Sequence, residues 1–457
     1  MFFDVAMTLP NYFLADLPPE AILTPQLISD ACQSIRKNRE RFISELQQER
    51  IVRCLAQAAK NWLDHEHPIR RLALEPGRTQ FSPETLATGL DHYFAKVTEE
   101  SLFNLLTQEF GHENRLDSPV STPEENVHRR SAMVTGPFLI AHITAGNIPC
   151  PTFSSMIHGL LVRSAQFVKC ASGNSFLPRL LAHSIYEIEP KLGACIEVAE
   201  WAGGSEQLEG ALFHEADFVT ATGADVTLKN IRSRLPSGKG FLGFGHRVSF
   251  GYITKDFLSR AQARLAAKQA AIDVIAWDQS GCLSPHAFYI EEGAAMTPEM
   301  FAAMLAEELA HLESQQPRGN LTVAESAIVS AARGFFEVRA ANSGGTKIWA
   351  SKESTAWTVV FDDDTVFQHS CLSRFILVKP AKDLESALRA AEMVRGKVST
   401  VAIAASVVAM TPLAQHLARW GVTRVCPVGQ MQNPPLAWRH DGRPVLADYV
   451  TWTDVEQ

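Results

Sequence analysis

The fold is decided by the stretch at residues 136–170, which reads GPFLIAHITAGNIPCPTFSSMIHGLLVRSAQFVKC. The apolar run at 136–144 predicts a buried strand, residues 153–163 have the pattern of a helix, and 166–170 form a second short apolar run. A strand, a helix and another strand in this order predict a βαβ unit with parallel strands. The stretch therefore indicates an α/β protein.

The same alternation continues after residue 170. It predicts helices at 176–188, 205–214 and 226–235 and strands at 195–199 and 217–222. Such a pattern is typical of a parallel sheet covered by helices on both faces. Ligands of these sheets bind at the carboxyl ends of the strands. The loops at 145–151, 170–175 and 222–225 are therefore the first candidates for a binding site.

A second α/β region begins near residue 255, behind a first region of about 115 residues whose apolar positions recur three and four apart, as in helices. The elements predicted for the second region are helices at 255–275, 298–314 and 384–394 and strands at 287–290, 374–378 and 399–405. We expect an α/β fold of two parallel-sheet lobes with a helical N-terminal region.

Composition excludes several classes of protein. The 457 residues are 46% hydrophobic and 20% charged, with a net charge of −8, which excludes disorder and argues against a nucleic-acid partner. The densest basic stretch, RKNRER at 36–41, is interpreted as a solvated helix face.

The cysteines and the longest apolar stretch indicate the compartment. Eight cysteines without a CxxC pair predict free thiols in a reducing compartment. The longest apolar stretch, 398–410, is about half of a membrane span, and the first residues show no signal-peptide pattern. We therefore expect a cytoplasmic protein without an integral membrane segment.

Three short motifs are interpreted as ordinary structure. The stretch GKGFLG at 238–243 matches GxGxxG, but no strand precedes it and no helix follows, so we expect a flexible turn before a strand at 248–254. The HEH at 65–67 lacks the i, i+4 spacing of two zinc ligands. The DDD at 362–364 resembles a hairpin turn. We expect no metal site.

The loop DQSGCLSP at 278–285 holds the strongest catalytic candidate, Cys282. Glycine precedes this thiol and a proline follows it, between a predicted helix and a predicted strand. A catalytic thiol needs backbone N–H groups directed at the developing oxyanion, and Gly281 permits that close approach. The alternative is a buried cysteine in a tight turn, and the residues alone leave the two about equal.

The loop AGNIPCP at 145–151 follows a predicted strand and precedes a predicted helix. Its Asn147 could direct the side-chain NH₂ group into a cleft. An asparagine in this position also caps helices, and without other indications capping is the stronger interpretation.

Together these segments resemble the acyl-CoA reductase family of LuxC type. The resemblance rests on AGNIP at 145–149, DFV and TGAD between 217 and 225, GHRVSF at 245–250 and DQSGCLSP at 278–285, in the family's order. That family is in turn similar to the aldehyde dehydrogenase superfamily. The resemblance implies a helical N-terminal region at 1–115, a dinucleotide-binding lobe at 116–254, a catalytic lobe at 255–425 and a C-terminal segment at 426–457.

The resemblance also implies roles for catalytic residues. Cys282 matches the family's nucleophile, and Asn147 matches the asparagine of the oxyanion hole. His246 is a candidate for handling a proton, its alternative being a phosphate or backbone contact. The position where hydrolytic aldehyde dehydrogenases carry a glutamate that activates water holds Gly243 instead, which favours exchange of an acyl group with a thiol over its hydrolysis.

For the cofactor, Lys169 matches the lysine at the adenosine ribose, and Thr222, Gly223 and Ala224 match the turn under the pyrophosphate. Ser172 stands where relatives that prefer NAD often have a glutamate, so the resemblance implies NADPH, with NADH as the alternative. The superfamily's Glu-x-Phe-Gly-Pro clamp on the nicotinamide ribose has no match near 368–374.

The expected function is the NADPH-dependent reduction of a fatty acyl thioester to the aldehyde through an S-acyl-cysteine. The substrate would be an acyl-CoA or an acyl carrier, with an acyl-protein ligase as a candidate partner and a homo-oligomer as the expected assembly. The alternatives are NAD(P)-dependent oxidation of an aldehyde to the acid, a γ-glutamyl-phosphate-type reductase, and a non-catalytic scaffold subunit that retains the fold.

Overall fold

Two largely parallel β-sheets organise the chain, seen in a computed structural model that describes residues 9–18 and 20–456. The helices are α1 (Pro25–Phe42), α2 (Gln48–Leu63), α3 (Pro68–Ala73), α4 (Pro83–Phe94), α5 (Glu99–Phe110), α6 (Pro123–Val127), α7 (Cys150–Leu161), α8 (Phe176–Ile188), α9 (Pro190–Gly193), α10 (Glu206–Glu215), α11 (Asp225–Arg234), α12 (Arg260–Ile275), α13 (Pro298–Glu313), α14 (Val323–Asn342), α15 (Leu384–Ala390) and α16 (Val407–Trp420). The strands are β1 (Arg130–Thr135), β2 (Leu139–Ile143), β3 (Ala165–Cys170), β4 (Ile196–Glu200), β5 (Phe218–Thr222), β6 (Gly240–Phe244), β7 (Val248–Ile253), β8 (Pro285–Glu291), β9 (Thr346–Ala350), β10 (Thr358–Asp362), β11 (Phe375–Ala381), β12 (Val398–Ala404), β13 (Arg424–Pro427) and β14 (Thr451–Glu456).

The first of two compact units comprises Met1–Arg78, Leu90–Gly245 and Pro435–Gln457. Its five strands are all parallel and lie in the order β4-β3-β2-β5-β6. Every residue of β2 and of β3 is buried, as expected for strands covered on both faces. The chain order reverses where β5 joins β2, which is the point at which such sheets bind ligands.

The second unit comprises Thr79–Gly89 and His246–Pro434. Its seven strands lie in the order β13-β12-β7-β8-β11-β10-β9, and only the edge strand β9 is antiparallel to its neighbour. Strand β7 pairs with β8 and β12, so the division falls after Gly245 rather than at the expected residue 254. The expected fold class, two parallel-sheet α/β lobes with a helical N-terminal region, is confirmed.

The glycine-rich stretch at 238–243 was wrongly expected to be a flexible turn, because Gly240–Phe244 forms β6 at the edge of the first sheet. The reason is local packing. A Cβ on Gly240 would lie 2.2 Å from Cδ2 of Phe218 in the neighbouring strand. Glycine is therefore required for this strand pairing, although glycine normally weakens a strand prediction.

The interpretation of residues 36–41 as a solvated face holds for Lys37, Glu40 and Arg41, which are exposed, but not for Arg36 and Arg39. Arg36 forms an ion pair with Asp217 at 2.8 Å, and Arg39 is buried, with Nε donating to the carbonyl of Arg163 at 2.9 Å. These contacts attach α1 to the first sheet. A run of charges does not by itself distinguish exposed arginines from arginines that bond to neighbouring loops.

The three aspartates at 362–364 do not form a hairpin turn, because β10 and β11 run parallel. Asp362 is fully buried at the end of β10 and forms ion pairs with Lys379 at 3.3 Å and Arg339 at 3.0 Å. Both the parallel pairing of β10 with β11 and the burial of Asp362 depend on residues that are distant in the sequence. The prediction failed because it used only the turn preference of Asp.

Glu197 provides a pH-dependent contribution to stability. It lies on β4, where Oε1 accepts from the backbone N of Leu14 at 2.7 Å and of Val198 at 2.9 Å, and burial raises the pKa of its carboxyl to about 7. The pKa of this carboxyl is higher in the folded than in the unfolded chain. Its contribution to folding stability is therefore full below the unfolded pKa of 4.5 and is lost as pH rises through about 7.

We expect Glu197→Gln, which keeps the Oε1 acceptor, to raise the melting temperature relative to the unchanged protein at pH 8 and to leave it nearly unchanged at pH 4.5. Thermal unfolding at both pH values checks this. Glu187→Gln on the exposed side of α8 is the matched control, with no such pH-dependent difference expected. A Glu197→Gln effect of equal size at both pH values would contradict the assignment.

No helix in the described ranges is both long and apolar enough to cross a membrane.

Candidate active site

The carboxyl edge of the first sheet carries the loops that follow β2, β3 and β5. A Cβ on Gly146 would lie 2.4 Å from Nδ2 of Asn174, so the loop after β2 and the loop after β3 are in contact. Asn147, next to Gly146, is exposed. The structure thus brings together two of the three loops expected to form a binding site.

Lys169 is a buried ammonium beside an aromatic ring. Only 3% of this residue is exposed, its Nζ lies 5.7 Å from the ring centre of Trp201, and burial lowers its pKa. Within residues 9–18 and 20–456, the buried Nε1 of Trp201 has no hydrogen-bond partner. Because unsatisfied buried donors are costly, this indole N–H fits a hydroxyl group of a bound ribose.

Ser172 is exposed in the same loop, but the loop does not lack a carboxylate. Glu200, the last residue of β4, accepts from the backbone N of Gly173 at 2.6 Å and of Ser175 at 3.1 Å. Sequence reasoning missed Glu200, although an acidic residue at the end of the next parallel strand was a usable signal. The absence of a glutamate at 172 therefore does not by itself make this loop favourable for a 2′-phosphate.

The third loop leads into helix α11. Gly223 donates its backbone N–H to the carbonyl of Phe244 at 3.1 Å, and Ala224 is the N-cap residue, with extended backbone and no side chain that caps the helix. An uncapped helix start offers N–H groups to an anion. Thr222, Gly223 and Ala224 therefore suit the pyrophosphate of a dinucleotide, as the resemblance implies.

Cys282 lies in a tight turn at the amino edge of the second sheet, directly before β8. The backbone N of Ser284 donates to the carbonyl of Gly281 at 2.9 Å, and the Ser284 hydroxyl accepts from the N of Gly281 at 3.2 Å. From β7, the Ser249 hydroxyl donates to the carbonyl of Cys282 at 2.9 Å. Cys282 is partly exposed, as are Cys150 and Cys371, whereas the other five cysteines are buried.

Three histidines collect at the same edge. His246, two residues before β7, is exposed, and its ring centre lies 6.0 Å from that of His369. The ring of His369 lies 5.4 Å from His286, whose Nδ1 accepts from the backbone N of Ser370 at 3.1 Å. Burial lowers the pKa of His286 to about 4 and also lowers that of His369. His246 and His369 are thus both exposed members of the cluster, on the edge that carries Cys282.

At Gly243, where the resemblance implies that the water-activating glutamate is missing, a side chain would be tightly packed. A Cβ on Gly243 would lie 3.0 Å from the Phe241 ring and 3.3 Å from Cδ1 of Leu228. A glutamate would not fit there without movement of these side chains. Among the described residues, no cluster of three His, Cys, Asp or Glu side chains could hold a metal ion.

The residues predicted for the site divide between the two units. The first unit holds Asn147, Lys169, Ser172 and the 222–224 turn, and the second holds Cys282 and His246. Each set lies at one edge of one sheet.

Solved structures define the class of fold. The chain is similar to an NAD-dependent benzaldehyde dehydrogenase from Corynebacterium glutamicum, with a TM-score of 0.68, 14% identity and coverage of 95% of this chain and 91% of the other. A glyceraldehyde-3-phosphate dehydrogenase, GapN, from Methanocaldococcus jannaschii, complexed with NADP, gives a TM-score of 0.68, 13% identity and 95% coverage of both chains. The fold is that of the aldehyde dehydrogenases.

The profile of the family described as "Acyl-CoA reductase (LuxC)" matches residues 43–452, so the chain belongs to that family. A long-chain acyl-protein thioester reductase of Vibrio harveyi is 23% identical over 344 residues, which is 74% of this chain and 68% of the relative. Its counterpart in Aliivibrio fischeri is 21% identical over 419 residues, 89% of this chain and 82% of the relative. The expected family is confirmed, and with it an oxidoreductase that acts on acyl groups.

Proposed function

We propose that the protein reduces a fatty acyl thioester to the aldehyde with a dihydronicotinamide dinucleotide, through an S-acyl intermediate on Cys282. The observation that carries this proposal is the partly exposed Cys282 in a backbone-bonded turn, in a chain with glycine at 243, where a side chain would press against Phe241 and Leu228. A thiol nucleophile without that base forms an acyl-enzyme and does not hydrolyse it readily.

The chemistry proceeds in two halves. In the first, the Cys282 sulfur forms a bond to the thioester carbonyl carbon, and the bond from that carbon to the departing thiol breaks. In the second, the acyl-enzyme carbonyl carbon would accept a hydride to give the oxyanion of a thiohemiacetal. The carbonyl of the aldehyde would re-form as the bond to Cys282 breaks, and the departing thiolate would take up a proton. A bound dihydronicotinamide supplies the hydride.

Asn147 and His246 have supporting roles in this proposal. The Asn147 amide and the backbone N–H of Cys282 would donate to the oxyanion in both halves, where one such donor contributes about 10²–10³ in rate. His246 would supply the proton that the departing thiolate takes up, because it is an exposed imidazole on the edge that carries the thiol.

The cofactor proposal is NADPH, with NADH as the alternative. Lys169 would hold the adenosine ribose through its ammonium, and the turn at Thr222, Gly223 and Ala224 would hold the pyrophosphate. The exposed Ser172 leaves space for a 2′-phosphate, while Glu200 places a negative charge on the same loop. The dinucleotide preference follows from the balance of these two groups.

For the substrate we propose an acyl-CoA or an acyl group carried on a protein. The similarity to acyl-protein thioester reductases supports the second form and with it an acyl-protein ligase as partner. A cytoplasmic location and a homo-oligomer complete the proposal.

The decisive experiment incubates the full chain with acyl-CoAs of several chain lengths in the absence of dinucleotide, followed by intact-mass measurement and peptide mapping. We expect a single acyl adduct on Cys282 that disappears, with release of aldehyde, when NADPH or NADH is added. Steady turnover of aldehyde to acid without CoA would replace the proposal with aldehyde oxidation. No adduct with any donor, acyl-protein included, would favour a scaffold subunit.

A further inference from the structure

Two short segments beside the Cys282 turn share an unusual backbone. Six of the ten non-glycine residues with positive φ in the described part of the chain fall in Trp277–Gln279 (φ 50 to 63°) and in 372–374 (φ 57 to 63°). A left-handed backbone is unfavourable for every residue with a Cβ. Two runs of three such residues therefore persist only because other contacts hold them.

Arg374 supplies the main contact between the segments. Its Nε and Nη2 donate to Oδ1 of Asp278 at 2.9 and 2.7 Å, its Nη1 donates to Glu313 at 2.7 Å and to the carbonyl of Gln316 at 2.8 Å, and Nη2 also donates to the Thr85 hydroxyl at 3.2 Å. The side chain is fully buried. All five N–H groups of the guanidinium thus have an acceptor, which a lysine could not reproduce.

The Cys282 turn is attached to the same structure. The Gln279 side chain donates from Nε2 to the carbonyl of Pro285 at 2.7 Å, on the far side of Cys282, and to that of Phe375 at 2.9 Å, directly after Arg374. The second oxygen of Asp278 accepts from the backbone N of Gly319 at 3.0 Å. The residues that enter and leave the nucleophile turn are therefore both tied to the segment that Arg374 anchors.

We infer that Arg374, through its ion pair with Asp278, is a positioning residue that fixes the left-handed turn at 277–279 and so directs the Cys282 thiol. The inference deepens the proposed function and rests on Cys282 as its nucleophile. Arg374 is held within the fold by five hydrogen bonds and acts through Asp278. Loss of the ion pair would let residues 277–279 relax toward ordinary backbone angles and so shift the Cys282 thiol from its present position.

The test compares Arg374→Met and the isosteric Asp278→Asn with Lys379→Met. The last variant breaks a buried ion pair of the same unit at the carboxyl edge of the sheet, opposite to Cys282. The folded variants are treated with iodoacetamide, and the alkylation rate of Cys282 is measured by peptide mapping, with Cys371 as the internal reference. Acylation by an acyl-CoA and dinucleotide binding are measured in parallel.

For Arg374→Met and Asp278→Asn we expect Cys282 acylation to fall by up to about 10²-fold, the Cys282 to Cys371 alkylation ratio to change, and dinucleotide affinity to stay constant. Lys379→Met should lose stability without changing that ratio. Unchanged Cys282 alkylation and acylation in folded Asp278→Asn would overturn the inference. Alkylation needs no substrate, so it reports on the positioning of Cys282 independently of acylation. Absence of an acyl adduct on the unchanged protein would count against the proposed function and not against this inference.

Discussion

Cys282→Ser should eliminate the acyl-enzyme and lower aldehyde formation by at least about 10³-fold. A serine hydroxyl is a much weaker nucleophile than a thiolate, and the ester that it would form is a poorer acceptor of hydride than a thioester. Dinucleotide binding should persist, because Lys169 and the 222–224 turn belong to the other unit. The measurements are NADPH and NADH oxidation with acyl-CoA, intact mass, and dinucleotide titration of the variant.

The matched control is Cys371→Ser. Cys371 is also partly exposed and lies in the loop before β11, but burial raises its thiol pKa to about 11 and its Sγ contacts the carbonyl of Leu372. We expect Cys371→Ser to retain activity. Wild-type reduction rates in Cys282→Ser, or their loss in Cys371→Ser alone, would show that the nucleophile has been misassigned.

Lys379→Met should lower the free energy of unfolding by about 3–5 kcal/mol. Lys379 and Asp362 are both fully buried, and Asp362 also bonds to Arg339 and to the Thr346 hydroxyl, so one carboxylate joins β11, β10, α14 and β9. Removal of the lysine leaves a buried charge that Arg339 compensates only in part. The midpoint of urea unfolding, followed by circular dichroism, measures the loss.

Two variants separate the ion pair from general damage. Arg389→Met removes an exposed i, i+4 pair with Glu385 on α15 and should cost less than about 0.5 kcal/mol. Adding Asp362→Leu to Lys379→Met should recover part of the loss, because a buried pair can be replaced by apolar groups of similar volume. A loss in Lys379→Met as small as that in Arg389→Met would show that the buried pair contributes little.

The sequence predicts the parts of this fold whose signals are local. The βαβ alternation from 136 to 235 corresponds to β2–α11 within a few residues, and the helix at Phe176–Ile188 has the predicted bounds. β6 was missed because its glycines are explained only by the Phe218 ring of the adjacent strand. The long helix α14 has a weak apolar pattern, since only Val329 and Phe336 are buried along its 20 residues.

In the candidate site, too, the residues with local sequence signals are the ones that could be predicted. Cys282, Asn147 and Lys169 belong to contiguous motifs and were recognised in the sequence. Glu200 and Arg374 act on segments far along the chain, at 173–175 and at 278, and their roles became visible only once the strands were paired. Residues that position others are defined by tertiary contacts, and a single sequence does not contain that signal.

Residues Thr79–Gly89 give the nucleophile turn an unexpected dependence on the start of the chain. They belong to the second unit, where Thr85 accepts from Arg374, the Phe81 ring packs edge-on to Trp277 at 5.3 Å, and Gly89 leaves the room that the Trp277 indole occupies. A recombinant fragment beginning after residue 115 would contain Cys282 and every strand of both sheets, yet it would lack the support beneath the nucleophile. The unit that holds Cys282 is thus contiguous in space but built from two separate segments of the sequence, so no single continuous fragment consists of this unit alone.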